Sequence, residues 1–212
     1  MNTTEPRDGF GEGRYPLPAD IGSRRMAVFA DRCFSPLGAK TAVCLVRYVP
    51  REIVAVVDSA SAGSTVQEAL GFGGGIPIVS SIGETLLFEP DTLVLGTAPK
   101  GGQPTERELR AVEEAIAAGL HIVHGMHRFI GSETRFEELA AARKVVIWDV
   151  RRPPADLPVS TGNRPAEPKV VMTVGSDCNT GKMTAALEIV RALEREGVRA
   201  GFAASGQTGM MI

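Results

Sequence analysis

A glycine-rich loop near the end of the chain carries the residues best suited to bind phosphate. Its members are Gly175, Ser176, Asp177, Cys178, Asn179, Thr180, Gly181, Lys182, Met183 and Thr184. Glycines at both ends of the loop allow tight turns and a close approach of the backbone to an anion. A helix predicted to begin near Lys182 points its unpaired N–H groups at such an anion, and the lysine adds a positive charge. The pattern predicts a P-loop that binds the phosphates of a nucleotide or of a nucleotide-bearing cofactor.

This loop departs from the common P-loop in two ways. Five residues separate its glycines instead of four, and Met183 follows Lys182 where a magnesium-binding hydroxyl is usual. Thr184 comes one position later, which is a rotation of about 100° on a helix. A magnesium-dependent NTPase also needs an acid at the end of another strand, but the acids after Thr184 all lie in the predicted helix. These acids are Glu188, Glu194 and Glu196. The sequence therefore favours phosphate binding over magnesium-dependent hydrolysis.

Three histidines, His121, His124 and His127, are spaced by three residues at the end of a predicted strand. A period of three scatters side chains over both faces of a strand, so we expect no metal site there. His124 and His127 remain candidates to face a ligand from the following loop. A second glycine-rich loop, residues 96–102, contains Lys100 and is compatible with a substrate loop or a plain surface loop.

Residues 25–150 alternate between strand and helix patterns. Apolar runs predict strands at residues 26–30, 52–58, 77–80, 91–97, 121–124 and 145–149, and periodic segments predict helices at 39–48, 64–70, 105–118 and 134–143. Ser64 with Gln67, and Thr105 with Glu108, are predicted to cap two of these helices. The alternation predicts a Rossmann-like α/β domain with a mostly parallel sheet and ligands at the carboxyl ends of its strands. Asp58 ends one such strand, but no GxGxxG precedes it, so NAD binding is disfavoured.

The remaining segments divide the chain further. Residues 1–24 are polar and rich in glycine and proline, which predicts a flexible arm, and the proline-rich residues 151–168 predict an extended linker. Residues 169–212 repeat the alternation once, with strands predicted at 169–174 and 198–204 around a helix at 182–196. One such unit buries too little apolar area to be stable alone. We therefore expect the start of a P-loop NTPase-like α/β domain, and the chain as a fragment of a longer protein.

Composition restricts the partners. The formal net charge is −2, the sequence pI is about 6.0, and 43% of the residues are hydrophobic. These values give no sign of a nucleic-acid or membrane partner and favour a small-molecule substrate. Three widely spaced cysteines indicate a reducing compartment, and no signal peptide is recognisable, so we expect a cytoplasmic protein. We also expect a homo-oligomer.

Residues 175–188, together with residues 204–212, resemble the domain-of-unknown-function family 1611. Residues 121–129 look like the N-terminal part of the same family, and the resemblance covers residues 25–212. It implies an N-terminal Rossmann-like domain and a C-terminal P-loop domain that is similar to dethiobiotin synthetase, which also has five residues between its loop glycines. Family members are longer than this chain.

Some members of that family are D-glutamate N-acetyltransferases. The resemblance implies acetyl-CoA as cofactor, with residues 175–184 on its phosphates and Gln207 and Thr208 close by, at the end of the neighbouring strand. We therefore expect an N-acetyltransferase for D-glutamate or a related D-amino acid, with His124 or His127 as candidate base. One alternative is an ATP- and magnesium-dependent carboxylate ligase or kinase similar to dethiobiotin synthetase. Another is a non-catalytic nucleotide-binding regulator.

Overall fold

Six parallel strands build the sheet of the first part of the chain. The structure, a computed structural model, describes residues 24–153, 156–159, 162, 168–177 and 180–212. The chain divides into two compact units, residues 1–155 and 156–212. Of the predicted arm, only Arg24 is among the described residues, and part of the predicted linker also lies outside them.

The sheet has the strand order of a doubly wound fold. Its strands are β1 (Met26–Phe29), β2 (Ile53–Val57), β3 (Ile78–Val79), β4 (Thr92–Leu95), β5 (His121–His124) and β6 (Ile147–Asp149), arranged β3-β2-β1-β4-β5-β6. Every neighbouring pair is parallel. The order reverses between β1 and β4, and this switch point is where such sheets bind ligands at their carboxyl edge. The prediction of a Rossmann-like parallel sheet is confirmed.

Five helices accompany these strands. They are α1 (Lys40–Tyr48), α2 (Val66–Leu70), α3 (Ile82–Thr85), α4 (Glu106–Ala117) and α5 (Thr134–Arg143). Short 3-10 turns span Pro50–Glu52, Leu86–Phe88, Lys100–Gly102 and Ile130–Ser132. The strands are buried almost throughout because helices pack on the sheet, and one continuous apolar cluster joins β1, β2, β4 and β5 to α4 and α5. Near-continuous apolar runs are typical of strands that are covered on both faces.

The structure confirms one of the two predicted helix N-caps and contradicts the other. The hydroxyl of Thr105 accepts from the Glu108 N–H at 3.3 Å, and the Glu108 carboxylate accepts from the Thr105 N–H at 2.6 Å, which confirms the predicted capping box. The predicted Ser64 cap is wrong, because the reciprocal pair is Thr65 with Glu68, one position later. Ser64 instead donates its hydroxyl hydrogen to the Ser61 carbonyl, closing the preceding turn.

The second unit contains two helices, α6 (Lys182–Arg195) and α7 (Gln207–Met211). The predicted helix at 182–196 is confirmed, but the predicted strands at 169–174 and 198–204 are wrong, since the described residues there belong to no strand. A parallel strand exists only when a neighbour completes its hydrogen bonds, and no such neighbour occurs in the described part of this unit. The apolar side chains of residues 170–174 are accordingly exposed, with Met172 at 77% and Val174 at 80%.

Within the described residues, no helix is both long and apolar enough to cross a bilayer.

Candidate functional site

The P-loop of the second unit joins an extended segment to helix α6. Gly181 precedes this helix with φ +87°, a left-handed conformation that glycine adopts without strain. Gly181 has no side chain that could cap the first turn of α6, and none of the described side chains caps it. Thr173 donates a hydrogen bond from its hydroxyl to the Lys182 carbonyl at 2.9 Å, which ties the incoming segment to the start of the helix. Within the described part of the chain, the first N–H groups of α6 therefore lie at the loop without a side-chain partner.

Lys182 folds back over the loop. Its Nζ donates to the Asp177 carbonyl and lies 3.3 Å from the Thr180 hydroxyl oxygen. That hydroxyl itself donates to the same carbonyl at 3.2 Å. The ammonium group is thus held over the loop backbone, where a bound phosphate would find both the charge and the helix N-terminus.

Gly175 lies close to two side chains of the loop. A Cβ atom added there would come within 2.5 Å of the Thr180 hydroxyl oxygen and 3.3 Å of the Lys182 side chain. A larger residue would therefore displace the Thr180 hydroxyl, whereas glycine lets the backbone approach closely. Cys178 and Asn179, which the sequence also assigns to this site, lie outside the described residues.

Helix α7 carries Gln207 and Thr208, which were predicted to follow a strand. Both residues instead lie in the first turn of α7, and the strand before them is not formed. Thr208 is buried at 8% exposure. The side-chain oxygen of Gln207 is buried without a hydrogen-bond partner in the described part of the chain. The sequence pattern did not indicate this helix, because a five-residue segment with an internal glycine has no clear helical period.

The carboxyl edge of the first sheet brings two loops together. The predicted loop 96–102 follows β4, and the His127 N–H donates to the Gly102 carbonyl at 2.8 Å. Gly102 has φ +66°, and a Cβ there would collide with the His127 ring. His127 is exposed at this junction. The side chain of Lys100 is not among those that the structure describes.

His124 is placed quite differently. Its side chain is completely buried, its Nε2 lies 2.6 Å from a carboxylate oxygen of Asp149 in a bent contact, and its Nδ1 accepts from the Met126 N–H at 3.2 Å. A ring with this pattern is the neutral tautomer with the proton on Nε2. The pair joins the ends of β5 and β6 and fixes the start of the loop that carries His127.

Asp149 is the centre of this buried cluster. Burial raises the pKa of a carboxyl group, but hydrogen bonds from His124, from the Gly131 N–H and from Arg152 outweigh burial and hold the pKa of Asp149 below its usual value. The Gly131 N–H donates to both carboxylate oxygens, at 3.2 and 3.4 Å. Sequence reasoning did not single out Asp149, although an acid that ends a buried strand is a signal that was available.

The third histidine is separate from the other two. His121 accepts from the Val146 N–H through Nδ1 at 3.0 Å, which links β5 to the segment before β6. Among the described residues, no group of three or more His, Cys, Asp and Glu side chains is arranged to hold a metal ion.

Asp58, the acid considered for a ribose, is also engaged within the protein. It is 1% exposed and accepts from the Arg32 N–H at 2.5 Å. Arg32 has φ +61°, so the carboxylate stabilises a strained turn after β1. Nearby, burial raises the pKa of the Cys33 thiol, and the negative charges of Asp58, Glu108 and Asp31 raise it further.

Comparison with known proteins gives the family of the chain. Residues 59–153 match the Rossmann-like N-terminal domain of a family described as a domain of unknown function, DUF1611_N, and residues 158–212 match the P-loop domain, DUF1611_C, of the same family. The crystal structure of a DUF1611 family protein from Anabaena variabilis is 35% identical, with a TM-score of 0.79 over 89% of this chain and 55% of that one.

Two curated relatives carry a functional name. The D-glutamate N-acetyltransferase of Tritonibacter scottomollicae is 31% identical over 57% of this chain and 36% of its own length. The enzyme of the same name from a Pseudoalteromonas species is 31% identical over 62% of this chain and 40% of its own length. The chain thus spans less than half the length of either relative. With its Rossmann-like unit followed by a P-loop unit, the chain belongs to the DUF1611 family.

Proposed function

We propose that this protein contributes to an acetyl-CoA-dependent N-acetyltransferase that acts on D-glutamate or a related D-amino acid. The observation that carries the proposal is the name shared by the two curated relatives, D-glutamate N-acetyltransferase, at 31% identity. Because the chain covers 36% and 40% of those relatives, the activity of the whole relatives is carried to this protein only as a proposal.

The P-loop supports acetyl-CoA as the cofactor. The diphosphate of CoA requires N–H donors and a positive charge, which the open end of α6 and Lys182 supply. It requires no magnesium ion for hydrolysis, and Met183 stands where the magnesium-binding hydroxyl usually lies. The absence of room for a Cβ at Gly175 fits a loop that approaches a diphosphate through its backbone.

The reaction requires a base and a stabilised oxyanion. One proton leaves the ammonium group of the amino acid for the base, and the free amine attacks the thioester carbonyl to form the C–N bond. The C–S bond then breaks, and the second proton that the nitrogen loses passes to the leaving thiolate. Of the two candidate histidines, we propose His127 as the base, because it is exposed beside Gly102. His124 is completely buried and both of its ring nitrogens are engaged.

The function can be tested with the purified protein. Calorimetry with acetyl-CoA and with Mg-ATP, followed by mass spectrometry after addition of D-glutamate, is expected to show acetyl-CoA binding and N-acetyl-D-glutamate. His127→Ala is expected to lower kcat by roughly a hundredfold or more while acetyl-CoA still binds. Tight Mg-ATP binding without acetyl-CoA binding would contradict the proposal and favour a carboxylate ligase. Binding of either ligand without any product would favour a regulator.

A further inference from the structure

A cleft in the first unit is lined by residues to which the preceding sections assign no catalytic or binding role. It lies at the carboxyl edge of the sheet, between the ends of β1, β2 and β3 and the side of α4, and has a volume of about 300 Å³. This is the lower end of the size range of small-molecule sites. Phe29 contributes to an apolar floor, and charged side chains form the wall.

Three of the charged residues share one face of α4. Arg107, Arg110 and Glu114 are spaced by three and four residues, so their side chains point to the same side of the helix. Arg110 and Glu114 are exposed, and neither has an ion pair or side-chain hydrogen bond within the described part of the chain. One cation and one anion of this wall are therefore available to a ligand.

Asp31 faces them from the loop after β1. It accepts from the Ser59 N–H at 2.8 Å and from the Ser59 hydroxyl at 2.5 Å, and its other oxygen lies 2.9 Å from Arg107. Burial raises the pKa of Asp31, but the hydrogen bonds from Ser59 and the charge of Arg107 outweigh burial and keep the pKa below its usual value. Asp31 is therefore ionised at neutral pH.

Both members of this ion pair keep capacity for a further partner. An ionised carboxylate offers about four acceptor positions, of which Asp31 uses three. A guanidinium has five N–H donors, and the bond to Asp31 engages one nitrogen of Arg107. The cleft thus presents positive and negative groups side by side over an apolar floor, which is complementary to an amino acid with an extra carboxylate.

We propose that this cleft binds a small acidic amino acid, with Arg107 and Arg110 holding its carboxylates and Asp31 holding its ammonium group. The inference rests on the proposed function in identifying the ligand as the acetyl acceptor. In this arrangement the methylene groups of the bound amino acid lie against the apolar floor.

The test compares ligands and variants of the full-length protein by calorimetry, with and without saturating acetyl-CoA. Wild-type protein is expected to bind D-glutamate more tightly than D-glutamine, which lacks the second carboxylate, and than glutarate, which lacks the ammonium group. Arg110→Ala is expected to weaken D-glutamate binding by about tenfold or more and to remove most of the preference over D-glutamine. Asp31→Asn is expected to reduce the preference over glutarate.

Arg51→Ala serves as the matched control. Arg51 is exposed in the turn before β2, at the opposite edge of the sheet, and is expected to leave all three affinities unchanged. Equal affinities in Arg110→Ala and Arg51→Ala, or no binding of D-glutamate with or without acetyl-CoA, would overturn the site. Arg110-dependent binding without N-acetylated product would keep the site and contradict the proposed activity. If Arg110→Ala leaves product formation unchanged, the proposed activity is kept and the proposed site is contradicted.

Discussion

Helix α4 in the first unit and helix α6 in the second both follow a glycine-rich loop, but their first turns differ. In α4, Thr105 and Glu108 satisfy each other's backbone N–H groups in a capping box. In α6, Gly181 provides no side chain, and no other side chain among the described residues caps the first turn. The first arrangement uses the N-terminal donors for stability. The second leaves them for an anion, and Lys182 adds the complementary charge.

The two units also contain apolar side chains of very different solvent exposure. Met26 lies in the central strand β1 and is 1% exposed, whereas Met172, in the segment before the P-loop, is 77% exposed. Strand β1 therefore gains stability from burial that the segment before the P-loop does not.

The matched substitutions Met26→Ala and Met172→Ala measure this difference. Met26→Ala is expected to lower the free energy of unfolding by about 3 kcal/mol, because it removes buried atoms and leaves a cavity. Met172→Ala is expected to change it by less than about 0.5 kcal/mol. Trp148, the only tryptophan, reports unfolding of the first unit, and circular dichroism reports both units. Similar effects of the two substitutions would contradict the comparison.

Asp149 is expected to make the stability of the first unit depend on pH. Asp149→Asn is expected to lower the free energy of unfolding by about 2 kcal/mol at pH 7, because it weakens buried charge-assisted hydrogen bonds. Since the folded pKa of Asp149 is depressed, its stabilisation is present above the ordinary value of about 3.9 and is lost as the pH falls through the folded pKa. Thermal unfolding of variant and wild type is therefore expected to converge below about pH 4.

Glu138→Gln is the control for that experiment, because Glu138 is exposed on α5. A difference in unfolding temperature between wild type and Asp149→Asn that stays constant from pH 7 to pH 3 would contradict the role assigned to the carboxylate.

The sequence predicted the Rossmann-like sheet because buried parallel strands read as apolar runs, as in β2 and β4. It also predicted the P-loop helix and the Thr105 cap. It failed at residues 169–174, where the same apolar pattern occurs without a neighbouring strand, because periodicity records what a segment can bury and not what lies beside it. The Ser64 cap failed for a local reason, since two adjacent hydroxyl residues each have a Glu or Gln three positions later.

The candidate site was less accessible to sequence reasoning. The spacing of His121, His124 and His127 gives no way to know that one histidine is buried against an acid 25 residues away. The cleft near Asp31 joins the ends of three strands to one helix, and only the strand order brings these residues together. Local motifs such as the P-loop can be recognised in the sequence, whereas sites built from distant loops depend on topology.

The central proposal, that the P-loop binds the phosphates of acetyl-CoA, is tested most directly by titrating acetyl-CoA into the full-length protein and two lysine variants. Lys182→Ala removes the charge held over the loop, and Lys169→Ala removes an exposed lysine six residues before Gly175. We predict that Lys182→Ala weakens binding by about tenfold, or about 1.4 kcal/mol, and that Lys169→Ala leaves it unchanged. Equal affinities of wild type and Lys182→Ala would contradict the account.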